Sequence, residues 1–261
     1  MANFIRSAKS GSDWTKNELL AYNIRTVPKS DTGFFGEVPE KLPENLSKEF
    51  LEYEFGEEKP EKDEELLMYL DLASRGLENV VHDSVSQLLR ASGYRKKGRI
   101  VITGETMNLV VCGEYRTART DVSILGPEGS TILLVQEDRR RTNFKDAESQ
   151  VIAGAIAAFQ YNNRTRRERG LNEIDSMIIP CITVKGTFPT FYLVPVTEEL
   201  NTCIMGGIYP NSATEILRYI PRVSGRGIDV MKSKEDRKRV LQCYESFKKF
   251  VDNLEDLLKK K

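Results

Sequence analysis

Between residues 100 and 137 the chain carries four short runs rich in β-branched and aliphatic residues, at 100–102, 107–112, 118–125 and 131–137, separated by Gly or Pro-Glu-Gly turns. That pattern predicts strands. A different kind of segment follows at once, residues 148–162, with QVIAGAIAAFQY at its heart and Val151, Ile152, Ala155, Ile156 and Phe159 at helical spacing. Its small residues suit close packing on a sheet. Two more strands are predicted at 177–184 and 190–196, joined as a hairpin by the KGTFP turn. A meander, a crossover helix and further strands fit an α/β fold, a mixed β-sheet with helices on both faces, better than a strictly alternating parallel one.

The flanks are helical and loop-rich. A first helix is expected at 14–23 with Asp13 as N-cap, and a short one at 63–72. Ser74 is expected to cap a stronger helix that carries Leu77, Val81, Leu88 and Leu89 on one face, stopped by Gly93. Between these, Pro39, Pro43, Pro60 and the EFGEEKPEKDEE run describe a polar arm, ordered only where it docks, while Phe34-Phe35 reads as an anchor onto the main body. Beyond the hairpin, helices are expected near 198–205 and 213–219, and a long one over 234–258 with Val240, Tyr244, Phe247, Val251 and Leu254 on one side. The division expected is residues 1–72 as N-terminal helix and acidic arm, and 73–261 as an α/β domain with a C-terminal helical extension.

Composition bounds the rest. At 261 residues, 39% hydrophobic and 30% charged, the chain is long and apolar enough to bury a core. No apolar run approaches the roughly 20 residues needed to span a bilayer, and the N-terminus does not read as a secretory signal. An intracellular setting, cytoplasmic or nuclear, and no membrane partner are expected. Cys112, Cys181, Cys203 and Cys243 are scattered, with one histidine to join them, so buried free thiols are expected rather than a zinc site. Formal net charge is zero, but residues 41–71 hold eleven acids against four bases and 90–170 hold fifteen bases against nine acids. An acidic arm beside a basic body is either solvated surface or a cover for a basic groove.

The stretch ARTDVSILGPEGSTILLVQEDRR, residues 118–140, places Asp121 in one strand, a turn at 126–129, and Glu137 and Arg139 at the end of the next. Alternation points Glu137 and Arg139 the same way. If the strands pair through the turn, Asp121 and Glu137 approach as neighbouring carboxylates, which suits Mg²⁺ or Mn²⁺. This arrangement resembles the PD-(D/E)xK nuclease-like superfamily, which sets an aspartate in one strand and a D/E-x-K tripeptide in the next. Wording such as LLVQED…QVIAGAIAAFQ also resembles uncharacterised fungal members. The resemblance covers about residues 74–161 and implies a restriction-endonuclease-like core. It assigns Asp121 to the motif aspartate, Glu137 to the D/E position and Arg139 to the lysine position. Glu78 on the preceding helix corresponds to an extra glutamate in many members, hence a third metal ligand, and Gln150 to a glutamine of RecB-like members. The tyrosine expected four residues later is absent, since position 154 is Gly154.

What the resemblance implies is a Mg²⁺- or Mn²⁺-dependent nuclease or hydrolase. Asp121, Glu137, Arg139 and Gln150 would form the catalytic set, and Arg95, Lys96, Lys97, Arg164, Arg166 and Arg167 would contact a nucleic acid backbone. Arginine at 139 keeps the positive charge and binds phosphate, but cannot act as a base. Lys145 and Lys185 are the other lysines near that role. A second reading is a catalytically silent nuclease-fold module that binds or interacts. A third is a structural subunit pairing as a homo-oligomer through the long C-terminal helix or a sheet edge. His82 lies one turn after Glu78; a His-based nuclease or a Ser-His-Asp hydrolase would need it, but no G-x-S-x-G elbow follows a strand, and neither GxxxxGK[ST] nor GxGxxG occurs.

Overall fold

The computed structural model describes residues 6–138, 146–225 and 227–260, with Glu78 and Asn79 in backbone only. In chain order the elements are α1 (Lys16–Ala21), β1 (Ile24–Pro28), α2 (Asp31–Phe35), α3 (Lys48–Glu52), α4 (Glu64–Ser74), α5 (Glu78–Ala91), β2 (Ile100–Thr103), β3 (Thr106–Val111), β4 (Glu114–Arg119), β5 (Val122–Leu125), β6 (Thr131–Glu137), α6 (Ala147–Glu168), β7 (Ser176–Lys185), β8 (Phe188–Thr197), α7 (Glu198–Gly206), β9 (Thr214–Tyr219) and α8 (Lys234–Lys259). Seven strands form a mixed sheet in the order β1-β9-β8-β7-β6-β5-β2, and β3 and β4 form a separate hairpin. The antiparallel run β2, β5, β6 is followed by α6, which returns the chain so that β7 lies parallel to β6.

Register partners share a face of the sheet. Val135, Ile182, Phe191 and Tyr219 are partners in turn across β6, β7, β8 and β9. Phe34 and Phe35 of α2 and Phe247 of α8 pack on this face, with Phe35 to Tyr219 and Phe191 to Phe247 ring centroids both 4.9 Å apart. The aromatic pair is an anchor, as its sequence suggested. Leu134, Cys181, Tyr192 and Arg218 line the opposite face, and α6 covers it: a Cβ added at Gly154 would sit 3.4 Å from Leu134 Cδ1 and 3.3 Å from Thr120 Cγ2. The small residues of α6 are therefore a packing requirement. Gly11 wedges under the same helix, where a Cβ would lie 2.9 Å from that of Ala118 and 3.3 Å from that of Ala153.

Several sequence expectations need correction. The first helix is capped by Thr15 rather than Asp13, in a capping box with Glu18. Ser74 ends α4, its hydroxyl donating to the Asp71 carbonyl oxygen, and Leu77 stands at the N-cap of α5. The run at 118–125 is two strands: β4 turns away into the hairpin with β3, whose two-residue turn carries φ of +51° at Cys112 and +76° at Gly113. Residues 213–219, expected as a helix, form β9 between β1 and β8, because the sheet offers backbone partners on both sides of that short apolar run.

The segment NNRTRRERG, expected as a loop, continues α6 to Glu168. Arg166 is buried there and donates to the carbonyl oxygens of Asn172, Leu258 and Lys260, joining α6 to the end of α8. The acidic arm docks more firmly than its composition suggests. Leu46, Phe50 and Tyr53 are buried, and the fully buried Arg237 of α8 donates to the carbonyl oxygens of Leu51 and Tyr53. The N-terminal 72 residues also supply β1 to the sheet. Among the described residues no helix is long and apolar enough to cross a membrane.

Candidate metal centre

Helix α5 buries Val81, Val85, Leu88 and Leu89, which recur at helical spacing, and this pins the helix beside the ends of β5 and β6. His82 follows Val81 and points into that junction. Its Nε2 lies 2.7 Å from Glu137 Oε2 and 3.4 Å from Asp121 Oδ1. One donor atom from each of these three residues lies within 4.8 Å of the others. Valines 81, 85, 122, 135 and 184 line the same space, which is about 10 Å³, on the order of one water or ion. Apolar walls keep the local dielectric low and strengthen every charge interaction inside.

Asp121 does not lie within a strand. It occupies the bend before β5, where its N–H donates to the Val135 carbonyl oxygen and its own carbonyl accepts from Gly104. The bend turns its side chain toward β6. Its Oδ2 accepts from the Glu137 backbone N–H at 2.8 Å and from Gln136 Nε2 at 2.6 Å, while Oδ1 is the oxygen nearest His82. Glu137 closes β6 and is buried, sharing its face with its register partner Val184. Successive strand residues point to opposite faces, so Gln136 projects to the α6 side.

The sequence-derived set divides accordingly. Asp121 and Glu137 come together. Gln150 does not join them: it belongs to α6, on the other side of the sheet, and its Nε2 donates to the Ser12 carbonyl oxygen at 3.1 Å. That bond fastens the N-terminal turn to the helix start. Glu78 begins α5, but its side chain lies outside the described residues, as do Arg139 and Lys145. Lys185 ends β7.

The basic residues expected to meet a nucleic acid backbone are largely engaged within the chain. Lys96 pairs with Asp252 at 3.0 Å, Arg164 with Glu168 at 3.8 Å and Arg167 with Glu173 at 2.7 Å, whereas Arg166 serves the helix ends. Arg95 and Lys97 are exposed. All four cysteines are free thiols; burial pushes the Cys181 thiol well up and that of Cys243 up to about 11, which leaves both protonated and unreactive near neutrality.

His82 is the residue that the motif reading passed over. It was visible as the single histidine of the chain, one turn after Glu78 and adjacent to the buried Val81. Two carboxylate oxygens and one imidazole nitrogen are a sound donor set for a first-row divalent cation. The imidazole moves the preference from Mg²⁺, which favours oxygen alone, toward Mn²⁺ or a later metal. No protein-family model and no curated protein matches this chain.

Proposed function

We propose that this protein is a metal-dependent phosphodiesterase acting on nucleic acid, built on a restriction-endonuclease-like core of the PD-(D/E)xK kind, with Asp121, Glu137 and His82 as its metal ligands. The observation that carries the reading is the convergence of three ligand atoms within 4.8 Å of one another at the ends of adjoining strands. The order of elements agrees with it: a helix, an antiparallel meander holding both carboxylates, then a crossover helix to a parallel strand.

A bound divalent cation supplies water activation and charge neutralisation on the scissile phosphate. The chain's own residues do the remainder. Glu137 is held by the pairing of β6 with β7, and Asp121, in the bend before β5, by the Glu137 N–H and the Gln136 amide. His82 would serve as a ligand through an unprotonated ring nitrogen. Valines around the junction keep bulk water away from the carboxylates. Arg139, two residues beyond Glu137 in sequence, brings a permanent positive charge suited to phosphate but no base.

The test is cleavage of single- and double-stranded DNA and RNA with Mn²⁺ and Mg²⁺, alongside calorimetric titration of both metals. Wild type should cleave at least one substrate and Glu137→Gln none, with Asp121→Ala losing metal binding. No binding up to millimolar metal overturns the reading. A silent nuclease-fold binding module is the second reading, favoured by the ion pairs that occupy Lys96, Arg164 and Arg167. Metal binding without cleavage of any substrate would select it.

A further inference from the structure

We infer that Gln136 is a positioning residue for the metal centre, fixing Asp121 as a ligand through one oxygen only. The inference rests on the metal-centre reading. Gln136 is 8% exposed and stands on the α6 face of β6, opposite to the face that carries Glu137 and His82. Its amide reaches Asp121 from behind. The Nε2 to Asp121 Oδ2 distance is 2.6 Å, and the same oxygen accepts the Glu137 N–H at 2.8 Å.

Two donors on Oδ2 leave Oδ1 as the oxygen turned to His82. A carboxylate held in this way cannot rotate to present both oxygens. Monodentate ligation suits the near-octahedral coordination that small cations such as Mn²⁺ and Mg²⁺ adopt, whereas Ca²⁺ accepts bidentate carboxylates and higher coordination numbers.

The cost of the arrangement shows at the other end of the amide. Gln136 Oε1 is buried and accepts no hydrogen bond among the described residues. Thr183, the register partner of Gln136 on β7, does not serve it with the contact the structure gives its hydroxyl, which meets Tyr192 Oη at 3.4 Å. A buried acceptor without a partner is unfavourable. The methyl or methylene of an apolar residue would fill this place without that penalty, so the amide is explained by its donor end, which meets a metal ligand.

The experiment compares wild type, Gln136→Met and Gln136→Leu. Both remove the donor; Met keeps the length of the side chain and Leu shortens it, so an effect common to both follows the donor. Calorimetric titrations with Mn²⁺ and Ca²⁺ give the two dissociation constants, and thermal melting in EDTA reports the metal-free fold. Both variants should weaken Mn²⁺ binding about 10- to 100-fold, the range for partners that orient a ligand, and should narrow the Ca²⁺-to-Mn²⁺ ratio of dissociation constants because Asp121 loses one of the two donors that hold its Oδ2. A merely structural role would lower the melting temperature and leave that ratio unchanged, which overturns the inference. So does a Mn²⁺ dissociation constant within about twofold of wild type, against the same range. A flat Mn²⁺ titration for the wild-type protein, matched by Asp121→Ala, would overturn the metal-centre reading and this inference together; wild-type binding that both variants retain overturns the inference alone.

Discussion

Two of the clusters of charge among the described residues are closed in different ways. Arg99, almost fully buried ahead of β2, donates through Nε to Glu255 Oε2 at 2.8 Å and through Nη2 to both Glu255 and Asp252 of α8. Lys96 and Lys259 add further pairs to the same acids. There, fixed cations of the chain answer the carboxylates. At the ends of β5 and β6, Asp121 and Glu137 share the imidazole of His82, a group that can exchange its proton for a metal ion. The first cluster joins a loop to a helix. In the proposed reading, the second is where a cation from solution would bind.

The sharpest break of this contrast is at Glu137. Glu137→Gln should abolish metal-dependent cleavage and weaken Mn²⁺ binding beyond about 100-fold, the upper end of what orienting partners outside the coordination sphere contribute. It should leave the fold in EDTA intact. His82→Ala should also weaken Mn²⁺ binding, and should reduce the preference for Mn²⁺ over Mg²⁺, since the nitrogen donor is lost. Calorimetry checks both. A His82→Ala protein that binds both metals as wild type does would remove His82 from the ligand set.

Arg99→Met tests the other cluster. It removes the buried cation but leaves Lys96 and Lys259 on the same acids, and should cost about 1–3 kcal/mol of stability while leaving the Mn²⁺ dissociation constant unchanged. Chemical denaturation and the same metal titration measure the two effects. If Arg99→Met weakened metal binding as strongly as Glu137→Gln, the two clusters would not be independent.

Acid should distinguish the clusters more gently. Burial pushes the Asp252 carboxyl up, yet hydrogen bonds and charge from Lys96 and Arg99 bring it below its ordinary 3.8. Burial acts on Glu255 in the same sense, and Arg99, with Lys259 and Lys96, brings it below 4.5. A carboxyl whose folded-state pKa is depressed adds stability that is fully present above its unfolded value and is lost as pH falls through the folded one. Stability should therefore begin to fall below about pH 4.5, and Arg99→Met should flatten this part of the profile, as denaturation midpoints across that range would record.

The smallest effect belongs to position 139. In a working nuclease Arg139→Lys should retain or raise the cleavage rate, because lysine keeps the charge and can interact with the attacking water. In a binding module it should be silent in cleavage and weaken any bidentate phosphate contact. Single-turnover rates and binding assays on the same substrates separate the two outcomes.

The sequence by itself determined the elements whose residues carry their own periodicity. β-Branched runs between glycine turns became β2, β3, β5, β6, β7 and β8, and the small-residue stripe of α6 and the apolar face of α8 became helices. It also placed Asp121 and Glu137 on consecutive runs joined by a short turn, which brings them near each other once those runs pair, although Asp121 proves to lie in the bend before β5 and not within a strand. Tertiary structure decided the rest. Residues 213–219 became a strand only because β1 and β8 stand on either side with backbone groups to pair. Arg166 entered the interior because the end of α8 offers carbonyl oxygens to it. The third residue of the candidate metal centre was placed in the same way. No spacing in the chain relates His82 to Asp121, 39 positions apart in the numbering; they meet because α5 lays its valine stripe beside the strand ends, and a helix face packed on a sheet selects its neighbours by geometry in space.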